Sequence, residues 1–271
     1  MRYESYAPGP ALANYIKCYW SLQSDDMIAG ARERIFPDGC VELVFHTADL
    51  FVKYKPEGGV EFQPRSFIHG QLTRFIEIGA SGRTGIFSVR FKPAGLKPFI
   101  DFAADEIRGE NIHIIDIWGA AGRELEERIL LANNDGQRII LLENFLLSRL
   151  KKTKMNKYEI VNVCVNRIEE MDGTINIEAL AADFFTGKRH LERKFMQSVG
   201  LSLKQLARIT RFQHVLGLIE RKEYGNLTSL AYKGGFYDQA HFIKDFKEFT
   251  GLNPREYFST HLPLARYLIG E

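Results

Sequence analysis

Two stretches of the sequence place hydrogen-bonding and cationic side chains opposite an apolar stripe at helical spacing. In the more C-terminal stretch, Phe242, Phe246 and Phe249 recur at intervals of four and three residues, which predicts one buried face of a helix. The opposite face carries Gln239, Ala240, Ile243, Lys244 and Lys247. Amide, methyl and ammonium groups on an exposed helix face are suited to hydrogen-bonding base edges, contacting thymine methyl groups and pairing with phosphates.

A tight turn precedes this helix. The apolar segment from Leu227 to Ala231 is followed by Gly234 and Gly235, and Asp238 is a good N-cap because its carboxylate accepts from unpaired N–H groups of the first turn. Two helices joined by a glycine turn, the second apolar on one side and basic on the other, predict a helix-turn-helix. Taken alone, these residues are equally consistent with an ordinary solvated helix pair.

A second copy of this arrangement lies upstream. Asn176 is predicted to cap a helix at 177–185, Thr186 and Gly187 form a turn, and a further helix covers 188–198. The outward face of that helix carries Lys188, Arg189, Glu192, Arg193 and Lys194. Because Glu192 is the single acid in this set, the segment is locally basic, although the whole chain has a formal net charge of only +2.

The two copies are separated by residues 202–222, whose apolar spacing predicts one long helix. A helix of about 20 residues is roughly 30 Å long, and successive major-groove faces of B-DNA recur about every 34 Å. A stiff spacer of that length predicts that two recognition helices of one chain enter adjacent turns of the duplex from one side.

The composition is typical of a packed globular protein. The chain of 271 residues is long enough for two domains, and 45% hydrophobic against 26% charged residues exclude a disordered chain. Its three cysteines are an odd number without close spacing, which favours a reducing compartment. No apolar run reaches the roughly 18 residues of a membrane span, and the first residues lack an apolar signal core, so a cytoplasmic protein is predicted.

The sequence predicts an α+β fold in two domains. Residues 1–150 contain many short strands separated by turns, which favours a β-rich, barrel- or sandwich-like sensor or dimerisation domain. They end in a helical hairpin, 124–131 and 137–150, whose apolar stripe could pack on this domain's own core, which is favoured, or on a partner subunit. The basic segment 151–157 is predicted to be a linker, and 158–271 an all-α domain with two helix-turn-helix units joined by the long helix.

Cys40, His46 and His69 raise the question of a different site in the N-terminal domain. Cys40 could be a reactive thiol, but it lacks the neighbouring basic residue or second cysteine that activates one. The two histidines could join Cys40 as metal ligands, but no tight spacing supports a metal site. Structural roles are therefore predicted for both histidines.

Asp38 and Glu42 offer a further alternative, an acid/base pair in an enzyme that carries a DNA-binding tail. The Pro-Asp-Gly turn at 37–39 and the alternation of residues 41–46 predict a turn followed by a half-buried strand. A turn-capping role for Asp38 and a solvent-facing position for Glu42 are then the favoured explanation.

The two C-terminal units share further specific residues. The first unit has Leu180-Ala181, His190-Leu191, Phe195 and Gly200-Leu201-Ser202; the second has Ala231, Gly235-Phe236, Phe242, Phe246-Lys247, Gly251 and Pro254 to Tyr257. These residues, above all the cluster FKEFTGLNPREY, resemble the DNA-binding domain of AraC/XylS-type bacterial transcription regulators. Cys18-Tyr19-Trp20, Pro37 to Cys40 and Val89 to Pro93 resemble a poorly characterised domain that is fused to such regulators.

The resemblance implies that the second helix of each unit lies in the major groove. The residues then expected to face bases are Arg189, Glu192, Arg193, Gln239, Ala240, Ile243 and Lys244, and those expected to hold phosphates are Lys188, Lys194 and Lys247. The physical reasons are that Arg binds guanine through two hydrogen bonds, Gln pairs with adenine and Glu accepts from cytosine.

The implied function is sequence-specific regulation of transcription. Double-stranded DNA is the expected partner, and no catalytic residue, cofactor or metal is expected. The N-terminal domain would sense a small-molecule effector, form a homodimer or do both, and RNA polymerase would be a partner of an activator. An effector-independent regulator with a dimerisation-only N-terminal domain, and a small-molecule-binding or enzymatic module with a DNA-binding tail, remain alternatives.

Overall fold

Strands occupy most of the first 113 residues of the chain, and helices follow. A computed structural model describes residues 1–24, 32–150, 155–182 and 187–259. Its strands are β1 Arg2–Tyr6, β2 Ile16–Ser24, β3 Glu33–Ile35, β4 Val41–His46, β5 Phe51–Tyr54, β6 Val60–Phe62, β7 Ser66–His69, β8 Ile76–Ala80, β9 Thr84–Phe91 and β10 Asn111–His113. The short or polar strands β1, β3 and β10 carry little apolar alternation, and the sequence did not predict them.

The N-terminal domain is built on an antiparallel sheet in the order β1-β2-β9-β4-β7-β10. In β4 the side chains alternate, so that Leu43 and Phe45 face a layer of helices while Val44 and His46 face a second sheet. Both sides of β4 are therefore covered, and the prediction that residues 41–46 form a half-buried strand was wrong. The reason lies in tertiary structure, because alternation along one strand does not reveal a second sheet above it.

The second sheet is smaller, with the order β3-β8-β5-β6. Apolar side chains from the facing sides of the two sheets form a core, which includes Trp20, Val44, Phe67, Ile78 and Ile86. Two facing antiparallel sheets with interdigitating side chains form a sandwich-like domain. The β5–β6 hairpin predicted from the glycine pair at 58–59 is present.

A helical hairpin covers the opposite side of the large sheet. The hairpin consists of α2 Ala120–Leu131 and α3 Asp135–Arg149, and the short helix α1 Ile114–Trp118 precedes it. Leu142 and Leu146 of α3 are fully buried in the same core as Phe45 and Phe87 of the sheet. The apolar stripe of the hairpin thus packs on its own domain, as the favoured prediction had it.

The C-terminal part is helical. It contains α4 Met155–Glu170, α5 Ile177–Ala182, α6 Lys188–Val199, α7 Leu203–Glu220, α8 Leu227–Lys233, α9 Gln239–Thr250 and α10 Pro254–Ser259. Helix α4 begins inside the segment 151–157 that was predicted to be a linker, while residues 151–154 lie outside the described part of the chain. The predicted turn residue Thr186 and the end of the predicted helix 177–185 also lie outside it.

The N-caps predicted for the two units are formed. The Asn176 side chain accepts from the backbone N–H of Ala179 at 3.0 Å, and the Asp238 carboxylate accepts from that of His241 at 2.7 Å. The structure confirms the α+β class, with antiparallel sheets first and helices after. None of the helices in the described ranges combines the length and the apolarity that crossing a bilayer requires.

Candidate nucleic-acid interface

The second helix of each unit, α6 and α9, is fixed by an apolar inner face. Leu191 and Phe195 of α6 are fully buried in the core of the C-terminal domain. On α9, Phe246 and Phe249 lie against Phe212 of the connecting helix α7, with ring centroids 5.8 and 5.1 Å apart. Aromatic pairs at such distances stabilise beyond the area they bury. The orientation of both helices therefore follows from the stripes visible in the sequence.

An ion pair adds a polar link between α7 and α9. Arg208 donates from Nη2 to Asp245 Oδ1 and to Glu248 Oε2, both at 2.7 Å. Asp245 is 2% exposed, so the pairing holds a carboxylate that would otherwise be buried without compensation. This link fixes the rotation of α9 on the connecting helix.

The predicted base-reading and phosphate-binding residues lie on the outer faces of α6 and α9. The exposed ones are Lys188, Arg189, Glu192, Arg193, Ala240, Lys244 and Lys247, while Lys194, Gln239 and Ile243 are half-buried at the edge of each face. Two of them are engaged with neighbours: Lys188 Nζ lies 3.2 Å from Glu178 Oε1, and Arg193 Nη2 lies 3.2 Å from His190 Nδ1. Exposed contacts of this kind contribute little and exchange readily for a ligand.

The two outer faces open onto one groove. Lys188 and Glu192 of α6 and Lys244 of α9 line a cleft of about 640 Å³, and α7 forms its floor with Lys204 and Arg208. Residues of both helices thus line the same cleft. The structure brings together three of the predicted residues there, while the other seven do not line it.

The C-terminal end of α6 contacts the N-terminal domain. Arg108 Nε donates to the carbonyl oxygen of Gly200, the left-handed C-cap of α6, at 2.7 Å, and Arg108 Nη2 lies 2.9 Å from Met196 Sδ. A charged donor at a helix C-terminus satisfies a carbonyl that the helix leaves unpaired.

The C-terminal end of α9 is held in the same way. Arg34 Nη1 donates to the carbonyl oxygen of Thr250 at 3.0 Å, and its guanidinium lies 4.6 Å from the ring centre of Phe75. That ring in turn lies against Gly251, the C-cap of α9. The N-terminal domain therefore contacts α6 and α9 at their C-terminal ends, away from the residues predicted to read bases. Sequence reasoning missed these contacts, since no local pattern marks an arginine that pairs with a distant helix end.

We expect Gly251→Ala to lower the free energy of unfolding by ~1–2 kcal/mol, because Gly251 has a φ of +73°. A Cβ there would also lie 2.4 Å from the Phe75 ring and push the two domains apart. Gly225→Ala is the matched control, since the nearest atom to its Cβ would be Ser229 Oγ at 3.9 Å. Urea denaturation measures both variants, and equal losses would contradict the role given to Gly251.

Comparison with protein families agrees with this geometry. Residues 180–260 match the model of a helix-turn-helix domain. The C-terminal domain is an AraC-type helix-turn-helix domain. Residues 4–113 match a domain of unknown function, DUF6597. The AraC-type domain and the uncharacterised N-terminal domain are thus the two parts that the sequence resembled.

Solved structures of ToxT from Vibrio cholerae are similar to the chain. One is 10% identical, covers 95% of this chain and 97% of ToxT, and has a TM-score of 0.46. Another, of unsaturated fatty acid bound ToxT, is 13% identical, covers 88% of this chain and 92% of ToxT, and has a TM-score of 0.43. A search of curated proteins finds no match.

Of the two acidic residues considered as an acid/base pair, Asp38 has the predicted role and Glu42 does not. Asp38 caps its turn by accepting from Cys40 N–H at 2.9 Å, but Glu42 does not face solvent, because it pairs with Arg90 at 2.8 Å. The prediction that Glu42 faces solvent was therefore wrong, because alternation along β4 does not reveal the second sheet that covers this side of the strand. Burial raises the pKa of the Cys40 thiol well above its usual value, and the Asp38 carboxylate adds to this.

The imidazole rings of His46 and His69 each form one hydrogen bond, to Gln63 and to Asn111, and lie on the side of the large sheet that faces the small sheet. Within the described ranges, no three His, Cys, Asp or Glu side chains are grouped so that they could hold a metal ion.

Proposed function

We propose that this protein is a sequence-specific transcription regulator that inserts α6 and α9 into adjacent major grooves of double-stranded DNA. The observation that carries the proposal is the common groove, which Lys188, Glu192 and Lys244 line from both recognition helices. Helix α7, with 18 residues, is about 27 Å long, close to the 34 Å repeat of the major groove. The protein acts in the cytoplasm and is not an enzyme.

Each outward residue has a role that its chemistry supports. Arg189 and Arg193 read guanine, Glu192 accepts from cytosine N4, and Gln239 pairs with adenine. The remaining base-facing residues are Ala240 and Ile243, which suit a thymine methyl, and Lys244, while Lys188, Lys194 and Lys247 bind phosphates. The pair of Lys188 with the exposed Glu178 gives way to a phosphate at little cost.

We expect Arg193→Ala to weaken binding to the cognate site by ~1–3 kcal/mol and to leave binding to unrelated DNA unchanged. The cognate site is first selected from a random DNA pool with the purified full chain, and affinities are then measured at one fixed salt concentration. A selected motif with two boxes one helical turn apart is the expected result.

Lys247→Ala is the matched control for Arg193→Ala, because a phosphate contact carries no sequence information. It should weaken binding to cognate and to unrelated DNA equally. The slope of log K against log[salt] should become smaller in magnitude by about one. A parallel loss on both DNAs for Arg193→Ala would contradict its role in base reading.

The N-terminal domain regulates DNA binding through a small-molecule effector held between its two sheets. It also forms a homodimer through exposed apolar side chains of α2 and α3, which include Leu131, Ile140 and Leu147. If the regulator is an activator, RNA polymerase is a further partner. What supports effector control is the cavity between the sheets, together with the contacts that join this domain to both recognition helices.

A further inference from the structure

A small cavity of about 90 Å³ lies between the two sheets of the N-terminal domain. The large sheet contributes Trp20, Val44, His46, Phe67, His69 and Ile86 to its wall. Isoleucines of the small sheet and the segment 36–40 close the other side. The volume exceeds the roughly 10–15 Å³ that one water needs and is below the 150 Å³ of a cavity known to hold benzene.

Three buried polar atoms in this wall have no hydrogen-bond partner in the described part of the protein. They are Trp20 Nε1, His46 Nδ1 and His69 Nε2. Trp20 is 6% exposed and His46 is 1% exposed. An unsatisfied buried polar group costs about 1–3 kcal/mol, so that most native proteins contain few of them. Three such groups around one cavity are therefore an arrangement that a polar ligand would complete.

The hydrogen bonds of the two histidines fix what their other nitrogens offer. His46 Nε2 lies 3.2 Å from Gln63 Oε1, and His69 Nδ1 lies 2.6 Å from Asn111 Oδ1. Because a carboxamide oxygen only accepts, we assign the proton of each ring to the nitrogen that faces this oxygen, and the opposite nitrogen then keeps a lone pair. Burial lowers the pKa of each histidine to about 4, so both rings are neutral at pH 7. The Trp20 indole adds one N–H donor.

The charges at the cavity do not suit an anion. Among the described residues, Arg90 is the single cation in the wall, and it is paired with Glu42 at 2.8 Å and with Asp38 at 3.4 Å. Two carboxylates against one guanidinium give a formal charge of −1. A carboxylate ligand would meet no uncompensated positive charge, and its desolvation would be costly.

We propose that this cavity is the effector site and that it binds a small uncharged molecule with N–H or O–H donors and an oxygen acceptor, such as an amide or an alcohol. Donors of the ligand bind the lone pairs of His46 and His69, and a ligand oxygen accepts from Trp20. The inference rests on the proposed function, because it names the ligand class of the regulator's sensor domain.

The segment 36–40 connects this cavity to the DNA-binding domain. It lines the cavity through Phe36, Asp38 and Cys40. On its other side the Phe36 ring lies 6.1 Å from that of Phe212 in α7, and the carbonyl oxygen of Pro37 accepts from Gln213 Nε2 at 2.6 Å. A ligand that shifts this segment therefore acts on the helix that sets the spacing of the two recognition helices.

The ligand class is tested with two probes of the same shape, isobutyramide and isobutyrate. The chain has two tryptophans, so Trp118→Phe leaves Trp20 as the only indole and its fluorescence reports on the cavity. The amide should bind saturably and at least 10-fold more tightly than the carboxylate. Thermal unfolding of the unsubstituted chain with each probe is the second measurement. Equal or tighter binding of isobutyrate, or no saturable binding of any probe, overturns the assignment.

Substitutions locate the binding site. His69→Leu removes one acceptor and Trp20→Phe removes the donor, and each should weaken isobutyramide binding at least 10-fold, read as a thermal shift of the full chain. His190→Leu is the control, since this histidine is exposed on α6, does not line the cavity and should leave the affinity unchanged. Unchanged affinity in both cavity variants would show that the probe binds elsewhere.

DNA binding separates failure of this inference from failure of the proposed function. If selection from a random pool yields a two-box motif but none of the probes binds, the ligand assignment is wrong and the proposed function as a DNA-binding regulator is retained. If the probes bind in the cavity but no motif is recovered, the proposed function as a DNA-binding regulator is wrong and the assignment of the ligand site is retained. If both are right, saturating isobutyramide should change the affinity for the selected site, and the Trp20→Phe variant should lose that response.

Discussion

Replacing Arg90 with methionine is expected to lower the free energy of unfolding at pH 7 by ~3–5 kcal/mol. Arg90 is 4% exposed and holds two carboxylates, those of Glu42 and Asp38. Methionine preserves much of the side-chain volume but leaves Glu42 with only the Ser88 hydroxyl, which donates to it at 3.1 Å. Burial already raises the pKa of Glu42 against the opposing influence of Arg90. Urea denaturation followed by circular dichroism measures the loss.

The double variant Arg90→Met/Glu42→Gln tests the electrostatic cause of that loss. Removing the unpaired carboxylate as well should recover a large part of the stability, because replacing both members of a buried pair is often close to neutral. Arg2→Met is the surface control: Arg2 pairs with Glu4 in an exposed position, and its loss should change stability by less than about 1 kcal/mol. A double variant no more stable than Arg90→Met would point to lost packing instead of an unpaired charge.

What the sequence predicts well in this protein is local. The Phe242, Phe246 and Phe249 stripe and the Asp238 cap define α9 because helical periodicity and capping depend on residues a few positions apart. The outer faces of α6 and α9 follow from the same patterns, although the structure does not test their roles in base reading. The alternation of β9, with Phe87 and Val89 on one face and Arg90 on the other, was also visible.

The features that the sequence could not predict depend on pairing between distant segments. Glu42 lies opposite Arg90 because β4 and β9 pair in one register, and a shift of one residue would put the two side chains on opposite faces. The contacts of Arg34 and Arg108 with the ends of α9 and α6 join residues far apart in the chain. The cavity has the same origin, because its walls come from two sheets that face each other only in the folded domain.

Acidification is expected to destabilise the N-terminal domain through His46 and His69. Burial lowers the pKa of each to about 4, from an ordinary value of 6.5. Below pH 6.5 the unfolded chain binds protons that the folded chain does not, so the free energy of unfolding falls as the pH drops from 6.5 to 4. Each histidine contributes ~3 kcal/mol to this loss, because one pKa unit corresponds to about 1.4 kcal/mol. Above pH 6.5 both rings are neutral in either state, and this contribution to stability is fully present.

The decisive variant for this acid effect is the pair of substitutions His46→Gln and His69→Gln, which keeps polar side chains and removes both titrations. Its free energy of unfolding, measured in urea at pH 7.5, 6.5, 5.5 and 4.5, should depend less on pH than that of the unsubstituted chain. His190→Gln is the matched control, because His190 is exposed on α6 and should leave the pH dependence unchanged. Curves for the double variant that run parallel to those of the unsubstituted chain would show that the two rings bind protons equally well in the folded and the unfolded chain. In that case the rings would be solvated instead of buried in the cavity wall, and the acid-stability measurement would count against the ligand site assigned to the cavity.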